Sequence, residues 1–405
     1  MMQRFKLSFA VMATVLVASL SAGPAFAVSC RTSTSFDRWL DEFRREAAGA
    51  GVSQRALAAA APQMVYDQRI VNIDRGQRVF NQTFIEFSNR MVAAYRIQKG
   101  GQLIQQYGSV FGRANQQFGV PAAVITAFWG LESDFGANSG KEKSLVALTS
   151  LAYDCRRAEM FRGQLLSALQ LIDHGDLRPE EMIGSWAGEI GQTQMMPTEY
   201  NKWAVDYDGD GHRNLIKSVP DVIGSTANYI ESLGWRRGEP WLTNVRVPAN
   251  LPWDQADLTI QLPRSQWASW GVTLPDGRPL QADELPASLV LPMGRFGPAF
   301  LAYENFQVYL KWNQSLVYSL TAAYYATRLA GAASMHKGTG TPVALSYEQA
   351  KELQQLLRRY GYTGEIDGKL GLSTRTAVKA AQMKLGFPAD SWPTVELLAR
   401  MHGGG

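Results

Sequence analysis

Apolar residues recur at three- and four-residue steps along most of the chain, which is the period of amphipathic α-helices. The first such segment places Phe36, Trp39 and Phe43 on one face and stops at glycine. Helical patterning runs to about Gln117, and Pro121 can open the next helix because its missing N–H costs nothing there. Further helical segments are EMFRGQLLSALQLIDHG, VPDVIGSTANYIESLGW and WNQSLVYSLTAAYYATRLAG. The pattern predicts a mainly α-helical protein.

Two later regions differ from this pattern. Between about Asn244 and Val290, apolar and polar residues alternate among prolines and glycines, which predicts short strands and turns in a small β-containing insertion. Residues 331–345 are rich in Gly, Ser, Thr and Pro and are typical of a linker. Residues 346–405 then contain three short helical segments, which predict a small terminal domain and an α+β chain overall.

The first 27 residues have the three-part pattern of a secretory signal. Arg4 and Lys6 precede an apolar run, and small residues at Ala25 and Ala27 form an A-x-A cleavage site. The run is too short and wrongly flanked for a good membrane anchor. We therefore expect an exported protein whose mature chain starts near Val28, with no stable membrane anchor.

Composition and charge narrow the classes of function. The chain has 405 residues, of which 46% are hydrophobic and 19% charged, as expected for a globular protein of two or three domains. A formal net charge of +4 is too weak to indicate nucleic-acid binding, which clustered Lys and Arg would support. The four histidines form no H-E-x-x-H motif and no G-x-S-x-G occurs, which argues against zinc peptidases and serine hydrolases.

The chain contains two cysteines, Cys30 and Cys155. Export to an oxidising compartment favours one disulfide between them. Two free thiols or a lipid-modified Cys30 are the alternatives. The segment AVSC lacks the large aliphatic residue that lipid signals place three positions before the cysteine, so the disulfide is preferred.

One carboxylate interrupts the apolar and aromatic run AFWGLESDFG. In the helix expected to begin at Pro121, Glu132 shares one stripe with Phe128 and Trp129. Such surroundings disfavour the charged form of a carboxyl group and raise its pKa. Glu132 is therefore a candidate acid that holds a proton near neutral pH and donates it to a glycosidic oxygen. A buried glutamate satisfied by the backbone or by an arginine is the structural alternative.

A glycosidase of the usual kind needs a second carboxylate across its cleft. Asp134 projects from a different face of the helix than Glu132. No local pattern aims Glu142 or Glu189 at the same place. A carboxyl group without an evident partner suggests that the substrate itself supplies the nucleophile.

The blocks AFWGLESDFG, SWAGEIGQTQMMPTEY and STANYIESLGW, in this order and spacing, resemble the lytic murein transglycosylase B family. The resemblance covers roughly residues 36–330 and implies a lysozyme-like helical catalytic domain over residues 28–330. Such enzymes cleave the β-1,4 bond between N-acetylmuramic acid and N-acetylglucosamine in peptidoglycan and leave a 1,6-anhydro-muramyl end. One glutamate acts as acid on the leaving oxygen and then as base on the muramyl C6 hydroxyl, a role that maps to Glu132.

The same resemblance implies that peptidoglycan glycan strands are the partner and that the chemistry needs no cofactor. It also implies export to the periplasm of a Gram-negative bacterium. Residue by residue, it assigns substrate-binding positions to Ser185, Gln194, Tyr229, Asn313, Tyr318, Arg156 and Arg157. The structural alternatives are a helix cap for Ser185, a backbone-bonding amide for Gln194, a core aromatic for Tyr229 and a solvated helix face for the arginines.

Two positions depart from the family pattern. Trp312 stands where family members commonly have tyrosine just before the asparagine, so a hydrogen-bond donor there is an indole N–H or is absent. Glu189 occupies a position that is usually small or apolar, and the sequence offers no explanation for it.

The segment DYDGDGHRNLIKSVPD, within residues 206–221, has the oxygen-ligand spacing of an EF-hand calcium loop. The expected ligands at positions one, three, five and seven are Asp206, Asp208, Asp210 and the carbonyl of His212. Lys217 replaces the glutamate at position twelve, and Asp221 could supply the missing carboxylate in an enlarged loop. The family carries a modified loop of this kind, which implies a structural Ca²⁺; an Asp/Gly turn that binds nothing is the alternative.

The terminal segment LQQLLRRYGYTGEIDGKLGLSTRTAVKAAQMKLGF resembles the three-helix peptidoglycan-binding module. Such a module implies that a flexible tether raises the local substrate concentration. Two other functions compete with the transglycosylase hypothesis for the whole chain: a hydrolytic muramidase that uses water, and a cell-wall-binding protein without catalysis.

Overall fold

The computed structural model describes residues 30–76, 82–340 and 342–403. The predicted signal segment, residues 1–27, lies outside these ranges. No helix within them is long and apolar enough to cross a membrane.

A layer of helices precedes the segment that carries Glu132, as the periodicity predicts. In the described residues these helices are α1 (Phe36–Gly49), α2 (Gln54–Ala60), α3 (Gln68–Arg75), α4 (Phe84–Met91), α5 (Ala94–Gln106) and α6 (Gly108–Phe118). The buried rings of Trp39 and Phe43 stack on the inner face of α1. A disulfide between Cys30 and Cys155 ties the start of this layer to the central helices, which confirms the predicted pair.

The central helix α7 (Ala122–Ser133) is buried on nearly every side, as its continuous apolar sequence requires. The helices α5, α11 and α14 pack around it. The other helices of this core are α8 (Ser144–Tyr153), α9 (Ala158–His174), α10 (Pro197–Trp203), α11 (Val219–Ser232), α13 (Phe306–Trp312) and α14 (Leu316–Leu329). The end of α7 is thereby held inside the largest hydrophobic core of the described chain.

The predicted β-containing insertion is present and has its own core around the buried Trp267. Its antiparallel sheet has the strand order β3-β6-β5-β4. The strands are β3 (Leu242–Val245), β4 (Leu262–Pro263), β5 (Pro286–Val290) and β6 (Ala299–Ala302), and α12 (Arg264–Ser269) follows β4. The strand β6 lies beyond the predicted end at Val290, because a fully buried central strand shows no alternation in its sequence. A separate two-stranded ladder pairs β1 (Glu142–Lys143) with β2 (Ile183–Gly184).

The three predicted terminal helices are α15 (Tyr347–Leu357), α16 (Leu372–Leu385) and α17 (Val395–His402), which share a small core. Ser346 and Gln349 form a capping box at the start of α15. Short 3₁₀ turns complete the described elements at Ala61–Gln63, Pro179–Glu181, Trp253–Gln255 and Arg358–Tyr360.

The segment predicted as a flexible tether lies against the preceding body of the chain, the described part of residues 30–330, instead. Met335 is buried, and the N–H groups of Thr339 and Gly340 donate to the carbonyl of Phe296. The buried Arg375 of α16 donates to the backbone carbonyls of Leu291 and Pro292 in that body. The flexibility was predicted from the Gly-rich composition. Composition does not show which distant backbone groups such a segment will bind in the folded chain.

Candidate active site

Glu132 lies in the last turn of α7, and three features fix that helix end. The chain leaves the helix through Asp134 at φ 53°, in the left-handed region. Arg96 and Tyr95 of α5 hold the Asp134 carboxylate, so Asp134 is directed away from Glu132. The Ser133 hydroxyl donates to the carbonyl of Gln192, which joins the helix end to the loop after β2.

The Glu132 carboxyl group receives two neutral hydrogen-bond donors on the same oxygen. The indole N–H of Trp312 donates to Oε1 at 2.8 Å, and the Tyr318 hydroxyl donates to the same atom. The ring of Phe128 stacks on Trp312 with centroids 4.2 Å apart and supports Trp312, which lines the site. Trp312, the departure noted in the sequence, therefore does supply a donor.

Burial raises the pKa of Glu132 from its ordinary value of 4.5 to about 7. The hydrogen bonds from Tyr318 and Trp312 act against this increase because they stabilise the charged form. The negative charge of Glu189 adds to the increase. Glu132 is thus a carboxyl group that can hold a proton near neutral pH, as its position on the apolar stripe predicted.

A cavity of about 260 Å³ opens beside Glu132. Three carboxylates line it: Glu132, Glu189 and Glu199. Among the described residues of its wall there is no lysine or arginine. The polar side chains on its wall include three predicted substrate-binding residues, Gln194, Tyr229 and Asn313. The cavity is therefore acidic, aromatic on one side and rich in neutral hydrogen-bonding groups.

Those three predicted residues are held by specific contacts. Gln194 has φ 49°, and its amide nitrogen donates to the carbonyls of Ser139 and Gly191 at 3.1 and 2.8 Å. The Asn313 side-chain oxygen accepts from the Ser315 N–H at 2.9 Å. The Tyr229 ring lies 5.1 Å from the Trp312 ring, and burial raises the pKa of Tyr229 to about 12.

Glu189 sits in a tight loop that follows β2. The Ser185 hydroxyl donates to its carboxylate, and the Ser185 N–H donates to its carbonyl at 3.2 Å. Gly184 packs so closely on that carbonyl that a Cβ would stand 1.8 Å from the oxygen, so only glycine fits there. Burial raises the pKa of Glu189, whereas the Ser185 hydrogen bond and the charge of Arg157 lower it.

The remaining predicted residues do not line the cavity; some contact a residue that does, and others lie further away. Ser185 and Tyr318 act on Glu189 and Glu132 as described. Arg156 and Arg157 both donate to the carboxylate of Asp74, which is 4% exposed, and neither lines the cavity. Their predicted contact with substrate stays a prediction. Glu199 was not singled out by the sequence, because a glutamate in the first turn of a helix such as α10 is ordinary.

The Asp-rich loop forms the predicted carboxylate cluster. Asp206, Asp208 and Asp210 are exposed, and their nearest oxygens all lie within 4.8 Å of one another. The N–H groups of Gly209 and Gly211 donate to Asp206 at 2.7 and 2.8 Å, which lowers its pKa. Carboxylate oxygens are hard donors, and this set of three suits a Ca²⁺ ion.

Three further residues that the sequence singled out in this loop have partners of their own. Lys217, at position twelve, pairs with Glu181 at 2.6 Å. Asp221 is fully buried and accepts backbone N–H groups from Tyr207 at 2.6 Å and Asn214 at 2.7 Å, so it braces the loop from inside. The His212 N–H donates to Asp210 at 2.8 Å, and metal binding by the His212 carbonyl and by Asp221 stays a prediction.

Comparison with known proteins identifies two families. The family described as transglycosylase SLT domain matches residues 35–327, and that described as putative peptidoglycan binding domain matches residues 346–401. The chain is 32% identical over 243 residues to membrane-bound lytic murein transglycosylase B of Escherichia coli strain K12. This match covers 59% of the chain and spans 65% of that relative's length.

Solved structures extend the likeness. SltB3 from Pseudomonas aeruginosa, in complex with NAG-anhNAM-pentapeptide, is 38% identical, with a TM-score of 0.84 over 91% of this chain and 100% of that one. Escherichia coli Slt35 in complex with calcium is 27% identical, with a TM-score of 0.61 over 75% of this chain and 96% of that one. The domain match covers most of the residues that build the cavity, and it agrees with the motif blocks around Glu132. The chain belongs to the transglycosylase SLT family and carries a C-terminal peptidoglycan-binding domain.

Proposed function

We propose that this chain is an exported lytic transglycosylase that cleaves the β-1,4 bond between N-acetylmuramic acid and N-acetylglucosamine in peptidoglycan. Glu132 acts as the single acid and base. One observation carries the proposal: a cavity-lining carboxyl group has a pKa of about 7 and is held on one oxygen by two neutral donors. The likeness to SltB3, solved with an anhydro-muramyl fragment, supports the same conclusion.

In the first step Glu132 acts as an acid. Because Trp312 and Tyr318 both donate to Oε1, that oxygen is an acceptor and the proton belongs on Oε2. Oε2 gives this proton to the glycosidic oxygen, the C1–O bond breaks, and N-acetylglucosamine leaves as an alcohol. The positive charge that develops at the muramyl C1 is met by the substrate's own N-acetyl oxygen and by neutral polar groups of the cavity.

In the second step Glu132 acts as a base. The C6 hydroxyl of the same muramyl ring attacks C1, and its proton passes to the Glu132 carboxylate. The ring closes as a 1,6-anhydro sugar, and Glu132 regains the proton that it gave. No water molecule is consumed. One carboxyl group with a pKa near neutrality serves both steps, because it gives up a proton in the first and regains one in the second.

The position of Glu189 favours a second candidate, a hydrolytic muramidase. A retaining or inverting hydrolase needs a second carboxylate near the acid, and Glu189 lines the same cavity as Glu132. In that mechanism Glu189 would activate a water molecule or attack C1 directly. The product would then carry a hydroxyl from water at the muramyl C1 and would be heavier by one water than the 1,6-anhydro product.

Mass spectrometry of a peptidoglycan digest made in ¹⁸O-labelled water separates the two candidates. A transglycosylase releases muropeptides that are lighter by one water than the hydrolysed counterparts and carry no label. A muramidase releases full-mass products with one ¹⁸O at the muramyl C1. Labelled products from the wild-type protein would overturn the transglycosylase proposal.

Calcium and localisation complete the proposal. Asp206, Asp208 and Asp210 would hold a Ca²⁺ ion that stabilises the loop and takes no part in the acid–base chemistry. Export to a bacterial periplasm is supported by the signal pattern of residues 1–27 and by the disulfide between Cys30 and Cys155, which fits an oxidising compartment. The C-terminal domain would bind glycan strands near the catalytic cavity.

A further inference from the structure

Glu189 is one of two carboxylates of the cavity wall, with Glu199, that the proposed mechanism leaves unused. It lines the same cavity as Glu132, and the Ser185 hydroxyl holds its carboxylate at the cavity wall. The loop around it is closely packed: Gly184 abuts its carbonyl, and Gly188 has φ 88° with Leu148 against it. A charged side chain fixed in this way beside a catalytic acid needs an explanation in terms of charge.

The groups that face the two glutamates differ. Tyr318 of α14 and Trp312 of α13 face Glu132, and both are neutral. Ser185 faces Glu189, and the charge of Arg157, which is paired with Asp74, also acts on it. The other titratable side chains on the cavity wall are Glu199 of α10 and Tyr229 of α11. A cation therefore acts on Glu189, whereas no cation is among the groups that act on Glu132.

We propose that Glu189 is a positioning residue for the reaction: its negative charge keeps the catalytic proton on Glu132 and draws that proton back from the C6 hydroxyl. The proposal rests on the acid–base role of Glu132 proposed above. Two carboxyl groups that share one cavity do not both ionise readily, and the proton goes to the one with the less favourable surroundings for charge. Here the proton goes to Glu132, and Glu189 keeps the charge.

The directions of the two pKa shifts agree with this division. Burial raises the pKa of both groups. Neutral donors counter the increase at each: Tyr318 and Trp312 at Glu132, and Ser185 at Glu189. Only Glu189 also has a cation, Arg157, among the groups that lower its pKa. The charge of Glu189 in turn raises the pKa of Glu132. When the surroundings of two carboxyl groups separate their pKa values in this way, the group with the higher pKa is the acid and the other is its charged neighbour.

The test is the pH dependence of kcat/KM on purified peptidoglycan for the wild type and for Glu189→Gln. A general acid must be protonated, so activity is lost as pH rises through the pKa of Glu132. Removing the charge of Glu189 lowers that pKa, and the alkaline limb moves to lower pH. We expect a larger fractional loss of activity at pH 8 than at pH 5.5. Glu189→Asp restores a carboxylate and returns the limb part of the way.

Glu199→Gln is the matched control, because it removes a carboxylate from the same cavity wall. The charge of Glu199 acts on Tyr229 and is not among the causes of the Glu132 shift, so the alkaline limb stays at the wild-type pH. Thermal unfolding verifies that each variant is folded. If Glu189→Gln does not fold, Ser185→Ala tests the same point, because it raises the pKa of Glu189 and moves the limb in the same direction by less.

The outcomes distinguish a failure of the role proposed for Glu189 from a failure of the proposed transglycosylase function. An alkaline limb that stays in place in folded Glu189→Gln, with products still lighter by one water, overturns the role of Glu189 and leaves the transglycosylase intact. Wild-type products that carry added water overturn the proposed function itself. In that case Glu189 is the second carboxylate of a hydrolase.

Discussion

Two places in the described part of the chain bring three carboxylates together, the cavity beside Glu132 and the Asp-rich loop. Those of the cavity are Glu132, Glu189 and Glu199; those of the loop are Asp206, Asp208 and Asp210. In the cavity, burial raises the pKa of Glu132 and of Glu189. In the loop, backbone N–H groups lower the pKa of the exposed Asp206. The carboxyl group is thus suited to holding a proton in the cavity and to binding a cation in the loop.

Backbone conformation produces much of this difference. Gly209 and Gly211 have φ of 84° and 92°, which turns the loop so that N–H groups point at Asp206. Glu132 is near the end of a buried helix, where its neighbours are aromatic rings and its donors are neutral. The surroundings of a carboxylate, and not its proximity to other acids, thus decide which chemistry it performs.

The largest expected effect is the loss of the proton donor. Glu132→Gln keeps the size and the hydrogen-bonding capacity of the side chain but cannot give up a proton. We expect the rate of peptidoglycan cleavage to fall by about 10²- to 10⁴-fold. Release of soluble muropeptides from purified sacculi measures it. Glu231→Gln, on the exposed face of α11, should retain wild-type activity; full activity in Glu132→Gln would show that Glu132 is not the acid.

The second effect compares the buried carboxylate that braces the Asp-rich loop with the exposed carboxylates of the same loop. Asp221→Ala removes the acceptor of two short backbone hydrogen bonds in a fully buried site. We expect a loss of about 2 to 4 kcal/mol in the free energy of unfolding, because buried N–H groups are left unpaired. Urea unfolding in the presence of a chelator measures it without any contribution from a metal. Asp208→Asn, in the exposed cluster, should change stability much less under the same conditions, and equal losses would contradict the distinction.

The sequence predicted well what depends on local pattern. The helix that ends beside Glu132, the raised pKa and the carboxylate spacing of the loop follow from apolar periodicity and from fixed offsets between residues. Tyr318 lies 186 positions from Glu132, and only its match to a family motif brought it forward. The disulfide was predictable because two cysteines in an exported chain leave one possible intrachain pair.

What the sequence did not predict depends on tertiary contacts. Arg156 and Arg157 form ion pairs with Asp74, a residue some 80 positions earlier, and no local pattern predicts that partner. Glu189 enters the cavity because Gly184 and Ser185 shape its loop, which spacing alone could not show. The tether was predicted to be flexible from composition, yet its backbone bonds to Phe296.

A smaller effect tests the donors on Glu132. Tyr318→Phe removes a hydroxyl that stabilises the charged carboxylate, so the pKa of Glu132 rises and the alkaline limb moves to higher pH. This direction is opposite to that expected for Glu189→Gln. We expect kcat/KM at pH 6 to fall by about tenfold, because the hydrogen bond also orients Oε1. Tyr325→Phe is the control: it removes a buried hydroxyl from α14 that donates to the backbone carbonyl of Arg96 instead, and the limb should not move. A limb that moves to lower pH in Tyr318→Phe would contradict the assigned hydrogen bond.

The last expected effect concerns the stability of the loop and not the rate of cleavage. If Asp206, Asp208 and Asp210 hold Ca²⁺, adding the ion stabilises the folded protein by about 1.5 to 3 kcal/mol at ten to one hundred times its Kd. Calorimetric scans with calcium, with magnesium and with chelator measure the shift in Tm. Magnesium should shift it less, because it demands a tighter octahedral site. Asp206→Asn combined with Asp208→Asn should abolish the calcium shift and leave the pH dependence of cleavage unchanged, since neither loop carboxylate is among the groups that shift the pKa of Glu132. A calcium-dependent alkaline limb would contradict that separation, whereas a Tm insensitive to calcium would make the loop an ordinary Asp/Gly turn.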